Sequence, residues 1–170
     1  MKNTYSHITH ECIPPFINKD SEILILGSLP SVKSREEQFY YAHKSNRFWS
    51  VISRVFNEPI PNTIEEKKQM LTKHKIALYD VIYECDIIGS SDASIRNIVP
   101  INIKNDILDK CSNIRKIILT GSKSASLFDE YLAKDIDPKI KVYRMPSTSS
   151  ANAKISLSQL VEIYAEAINE

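Results

Sequence analysis

Apolar residues follow two alternating rhythms along this chain. Strand-like stretches with apolar cores appear at 23–27, 77–82, 115–120 and 140–145, each bounded by Gly, Ser, Pro or charged residues. The first of them, 23–27, has two apolar faces, which fits a strand covered on both sides, as in parallel sheets. Between them the apolar positions recur at helical spacing. Phe48, Trp49, Ile52, Val55 and Phe56 form one face of a helix that begins near Ser45 or Asn46 and stops at Asn57 and Pro59. Thr63 with Glu66 is a capping box, and its helix runs to about His74. Ile103, Ile107, Leu108 and Cys111 mark a helix over 102–111. Ala125, Phe128, Tyr131 and Leu132 mark another, entered through Gly121 and Ser122. Ser156 with Gln159 caps a last helix carrying Leu157, Leu160, Val161, Tyr164 and Ile168. Residues 1–21 show neither period and read as irregular.

Strands alternating with helices predict an α/β chain. The expected architecture is a three-layer α/β/α sandwich around a central four-stranded parallel sheet, one domain over 1–170. Right-handed crossovers place every strand-to-helix turn on one edge. The turns at 27–31, 121–122 and 146–151 then share a rim, where open α/β sheets bind ligands.

Composition narrows the chemistry. With 42% hydrophobic and 25% charged residues, the 170-residue chain has enough apolar material for a packed core. A net charge of +1 advertises no broad nucleic-acid field, although a local basic groove is compatible with it. The cysteines, Cys12, Cys85 and Cys111, are odd in number and lack a Cys-x-x-Cys pair. That pattern speaks against a structural metal centre and for reduced thiols in a cytoplasmic protein. The N-terminus has no apolar signal region, and no run approaches the roughly 18 apolar residues of a membrane span. Nucleophile-elbow, dinucleotide-binding and P-loop motifs are absent. Of the four histidines, His7 and His10 fall in the irregular start and His74 at a helix end, leaving His43 within the candidate site.

Two segments of the rim hold the informative residues. The first joins Gly27, Ser28, Leu29, Pro30 and Ser31 to a loop from Tyr40 through Tyr41, His43, Asn46 and Phe48 to Trp49. The second is the hydroxyl-rich turn Pro146, Ser147, Thr148, Ser149. Together with Gly89, Ser90 and Asp92, they resemble the uracil-DNA glycosylase superfamily, and above all its hypoxanthine (deoxyinosine) DNA glycosylase branch. That branch shows Gly-Ser-x-Pro, Tyr-Tyr-x-His-x-x-Asn-x-Phe-Trp, Gly-Ser-x-Asp and Pro-Ser-Thr-Ser in this order. The resemblance spans about residues 23–168, and its second motif is the specific one.

The resemblance implies roles. Asn46 is the catalytic amide, and Tyr41 stacks on the extruded base. His43, Gly27, Ser28 and Leu29 line the base pocket. Pro30, Ser31, Ser147, Thr148 and Ser149 contact DNA. An asparagine has no useful pKa, but one amide can accept from water and donate to a base. Asn46 also stands where a helix cap is expected, and the two roles are compatible. Phe48 and Trp49 read as core. Lys33, Arg35, Lys44 and Arg47 give the first loop a basic character suited to phosphate. Asp92 braces its loop. Two positions depart from the pattern: Leu29 stands where mismatch-type relatives carry Asn, and Ile87 where many carry a basic residue.

The implied activity is hydrolysis of the N-glycosidic bond of deaminated bases, chiefly hypoxanthine in DNA, leaving an abasic site. No cofactor and no metal are expected, the partner is DNA containing deaminated bases, and the protein is expected to be a monomer away from membranes. Two other readings stay open. One is uracil excision from mismatches. The other is a DNA-binding module that kept the fold without the chemistry, favoured by Leu29 and opposed by Asn46.

Overall fold

The computed structural model describes residues 4–170. Its strands are β1 (Ser6–Thr9), β2 (Ile23–Gly27), β3 (Ile76–Asp80), β4 (Ile82–Ile87), β5 (Arg96–Pro100), β6 (Lys116–Thr120) and β7 (Lys141–Met145). Its α-helices are α1 (Val32–Glu37), α2 (Phe48–Val55), α3 (Ile64–Lys73), α4 (Ser122–Tyr131) and α5 (Leu157–Asn169).

The central sheet has four parallel strands in the order β3-β2-β6-β7, as the apolar runs predict. Every residue of β2 is buried, which explains its lack of a polar face. Helices flank the sheet: α3 packs on β3, α4 on β6, and α2 against α5. The core runs through Leu24, Ile25, Phe48, Ile52, Leu78, Ile118, Phe128 and Tyr164, all fully or almost fully buried. Register carries the strand ends to one edge, where Gly27 is paired with Asp80 and Thr120 with Met145. Both capping boxes form, at Thr63 with Glu66 and at Ser156 with Gln159. Buried Lys116 donates from Nζ to the carbonyls of Ala167 and Ile168, at 2.9 Å each. A cation thus ties the sheet to the negative end of α5.

The structure corrects several expectations. The run 77–82 is not one strand: β3 ends at Asp80, Val81 turns the corner, and Ile82 opens β4 in another sheet. Val81 and Ile82 are both fully buried, so hydrophobicity could not mark the break. The second sheet is antiparallel, in the order β1-β4-β5. Residues 1–21 are therefore not all irregular, since β1 pairs with β4 from Ser6↔Ile87 to Thr9↔Glu84 and Phe16 bridges Leu78. With Ile8 as its one apolar residue, β1 gave no apolar run. The loop after Ser31 contains α1, which Ser31 caps by accepting from Ser34 N–H. The helix expected over 102–111 shrinks to a π-type turn, Lys104–Leu108, although Ile103, Ile107 and Cys111 are buried as its spacing required. Among the described residues, no helix is long and apolar enough to cross a membrane.

Candidate active site

The carboxyl edge of the parallel sheet opens into a cleft of about 410 Å³, within the range of roughly 300–1,000 Å³ usual for small-ligand sites. Gly27, Ser28, Leu29, Pro30, Ser31, Tyr41, His43, Asn46, Ser147, Thr148 and Ser149 all line it. The residues expected to act as catalytic amide, base pocket and DNA contact are thus brought to one place from three separate stretches of chain, whereas Lys33, Lys44 and Arg47 do not line it. The cleft also receives Asp80 and Thr120, which sequence reasoning missed.

Asp80 forms the floor. It is 4% exposed, and a Cβ added to Gly27 would sit 2.5 Å from its Oδ1. Position 27 therefore has to be glycine for the carboxylate to lie there. Asp80 Oδ2 accepts from His10 Nε2 at 2.8 Å, and His10 Nδ1 donates to the Ile13 carbonyl at 2.6 Å. A ring with acceptors on both nitrogens is an imidazolium. Burial alone would disfavour that charge, but the Asp80 carboxylate outweighs it by hydrogen bond and by field. The His10 pKa is held above its ordinary value. His10 is thus not part of a loose N-terminus: it is 1% exposed, with its ring edge-on to Tyr79. The available signal for Asp80 was a lone acid closing an apolar strand.

Tyr41 forms a wall. Its backbone sits at φ 51, a left-handed conformation unusual for an aromatic residue. Three contacts hold it there. The ring stacks on Phe48 with centroids 3.9 Å apart and planes 10° apart. Trp49 Nε1 donates to the Tyr40 and Tyr41 carbonyls at 3.3 and 3.2 Å. The hydroxyl meets Thr120 Oγ1 at 3.3 Å, and Thr120 itself donates to Leu26 O at 3.2 Å. Burial, and then the Asp80 charge, push the Tyr41 hydroxyl above its usual range, so it stays neutral. Phe48 and Trp49 are buried, as their spacing predicts, and serve as the backing of this wall.

Asn46 stands opposite, two residues before α2. Its Oδ1 accepts from Phe48 N–H at 2.9 Å and from Thr148 Oγ1 at 2.9 Å. A backbone N–H can only donate, so the amide end facing Phe48 is the oxygen. The Nδ2 end remains for the cleft. Asn46 is not the N-cap expected of it: Arg47 holds that position without a side-chain cap bond, and the Asn46 amide accepts from the first helical N–H from one residue further out.

Several expected DNA contacts have other work. Thr148 is 1% exposed, and its hydroxyl is committed to Asn46, which withdraws it from phosphate contact. Arg47 donates to the carbonyls of Thr148 (3.4 Å), Ile155 (2.5 Å), Ser149 (2.9 Å) and Asn152 (3.0 Å). Its charge therefore laces the second rim segment to the first and does not face a phosphate. Ser31 caps α1. Ser147 and Ser149 hydroxyls accept from Ser149 and Ala151 N–H, shaping their own turn. Ser150 donates to Ser45, whose N–H and hydroxyl face exposed His43 Nδ1 at 3.1 and 2.7 Å. Lys33 pairs with Glu36 and Glu37. Arg35 lines the cleft beside Ile87, with its Nε buried and unpartnered. Asp92 is exposed at the outer edge in a 3₁₀ turn, Asp92–Ser94.

Comparison with known proteins identifies the family and the fold. The profile of a family described as the Uracil DNA glycosylase superfamily matches residues 14–167. A curated relative named hypoxanthine DNA glycosylase from Methanosarcina acetivorans is 33% identical over 144 residues, covering 84% of this chain and 88% of its own. A second of that name from Methanosarcina barkeri is 31% identical over 155 residues, covering 91% and 94%. A solution NMR structure of a candidate uracil DNA glycosylase from Methanosarcina acetivorans superposes with TM-score 0.75 at 27% identity, covering 93% of this chain and 97% of that one.

Proposed function

We infer that this chain, which belongs to the uracil DNA glycosylase superfamily, releases hypoxanthine from deoxyinosine in DNA and leaves an abasic site. The observation that carries this reading is one cleft holding an aromatic wall, a buried carboxylate and an oriented amide: Tyr41, Asp80 and Asn46. The two relatives named hypoxanthine DNA glycosylase support the choice of base.

A base inside a duplex has to be extruded before its glycosidic bond is reachable. One face of Tyr41 is taken by Phe48, so the other carries the extruded purine. Asp80 offers an acceptor at the floor. Hypoxanthine presents an N1–H there, whereas adenine presents a lone pair that a carboxylate repels. As the bond lengthens, positive charge grows on the sugar and negative charge on the departing base. Asn46 Nδ2–H then donates to the base, and its gain is largest when that charge is largest. Water completes the exchange: its oxygen bonds to C1′, the C1′–N9 bond breaks, and the base leaves carrying a proton. Among the described residues no lysine lines the cleft, which supports hydrolysis without a covalent amine intermediate. Such hydrolysis requires no cofactor, and we place the enzyme in the cytoplasm as a monomer.

Uracil excision is the second reading, because uracil also offers Asp80 a ring N–H. A single-turnover panel on duplexes containing deoxyinosine, deoxyuridine or deoxyadenosine decides between them. Hypoxanthine release is expected to be fastest, with none from deoxyadenosine. Asn46→Ala should slow it roughly 10²- to 10³-fold, as for loss of one transition-state donor. Release of uracil without hypoxanthine would overturn the assignment of base, and a fully active Asn46→Ala the assignment of the amide.

A further inference from the structure

We propose that Thr148 is a positioning residue that commits Asn46 to act as a donor to the departing base rather than as an acceptor for the attacking water. This rests on the reading of Asn46 as the catalytic amide.

A carbonyl oxygen has two lone pairs. On Asn46 Oδ1, Phe48 N–H and the Thr148 hydroxyl, each at 2.9 Å, occupy both. A hydroxyl can give or take, so its direction follows from its neighbours. Phe48 N–H fixes oxygen at that end of the amide, and Thr148 must therefore donate. The terminal torsion of asparagine is otherwise soft and would let oxygen and nitrogen exchange places. Exchange here would set Nδ2–H against Phe48 N–H and leave the buried Thr148 hydroxyl without its acceptor. Phe48 N–H sets which end is oxygen, and the Thr148 hydroxyl fills that oxygen's second lone pair and holds the amide in that orientation.

Thr148 is itself gripped. Its carbonyl accepts from Arg47 N–H at 3.0 Å and from Arg47 Nε at 3.4 Å. At 1% exposure its hydroxyl is not competed for by solvent. The contact joins residues 102 apart in sequence, so it depends on both rim segments being in place. With Oδ1 saturated, the amide has no lone pair left to hold or polarise water. Its contribution falls on the leaving group, and it should matter more the poorer that leaving group is.

The test compares Thr148→Val, Thr148→Ser, Asn46→Asp and Asn46→Ala with the parent protein. Each is measured by single-turnover base release and by affinity for a duplex carrying an abasic site. Valine keeps the shape and removes the hydroxyl. Thr148→Val is expected to slow hypoxanthine release about 10- to 100-fold, with abasic-site affinity unchanged and activity recovered in Thr148→Ser. The loss should be smaller for deoxyxanthosine, whose base departs as a more stable anion. Asn46→Asp, which has no N–H, should be as impaired as Asn46→Ala. A Thr148→Val protein as fast as the parent beside an impaired Asn46→Ala overturns the role of Thr148 and leaves the catalytic reading standing. A fully active Asn46→Ala overturns both. Equal losses on the two substrates, or an Asn46→Asp at or above parent activity, would assign Asn46 to the water instead. Should Thr148→Val fail to fold, Thr148→Ala takes its place in the same comparison, and the Asn46→Asp result still tests the direction of the amide.

Discussion

His10 carries an acceptor on each ring nitrogen, the Ile13 carbonyl and the Asp80 carboxylate. Its second proton therefore belongs to the folded state more than to the unfolded one. Where a folded pKa lies above the unfolded value, the stabilisation is complete below the unfolded pKa and is lost as pH rises through the folded one. For a histidine that window opens at about 6.5 and extends upward. Tyr40 and Tyr79 pack beside the ring, and burial pushes both hydroxyls above their usual range, so neither titrates in it. Urea unfolding from pH 6 to 9 should show stability falling with pH, and His10→Gln should flatten that fall. Parallel profiles for the two proteins would sink the ion-pair assignment. Little of this was legible beforehand: Asp80 reads as the end of a strand and His10 as part of an aperiodic start. Residues 70 apart become partners only because β1 lies along β4 and brings the following turn beneath β3.

The start of α2 and the turn at 146–155 behave as one element, with Arg47 as the clasp. Its guanidinium reaches four carbonyls, those of Thr148, Ser149, Asn152 and Ile155. A planar fork of donors suits this geometry and a lysine ammonium does not. Arg47→Met and Arg47→Lys should both lose stability, on the order of 2–4 kcal/mol for a disrupted, partly buried charged network. Amide exchange should quicken over 147–155 before it does in the sheet. Unchanged exchange in that turn would mean that the clasp is not what orders it. From sequence alone, Arg47 was one of four cations in a loop and its partners were invisible. The neighbouring caps at Thr63 and Ser156 were legible, because each is closed within four residues.

Around the cleft the described residues offer DNA few free charges. Net charge is +1, Arg47 is bound to carbonyls, and Lys33 is paired with Glu36 and Glu37. Lys44 and Arg35 remain near the cleft. Affinity for an abasic-site duplex should accordingly depend weakly on salt. A slope of log K against log salt of about −2 is expected, corresponding to roughly two phosphates neutralised. Fluorescence anisotropy across a salt series measures it. A slope several times steeper would place the DNA across a wider basic face than this cleft provides.

Order along the chain was encoded locally. Apolar runs specified the parallel strands, caps specified where helices begin, and short motifs named Tyr41, Asn46 and the serine-rich turn as one site. Such features depend on residues a few positions apart, whose backbone preferences and burial act without the rest of the protein. Direction and partnership were not encoded there. The break at Val81, the antiparallel sheet, the carboxylate beneath Gly27 and the donor facing Asn46 all arise between distant segments. A hydroxyl or carboxylate takes its role from whichever group packing sets at hydrogen-bond distance. The site was therefore readable as a set of residues, while the orientation of its amide and the charge on its floor came from the packed fold.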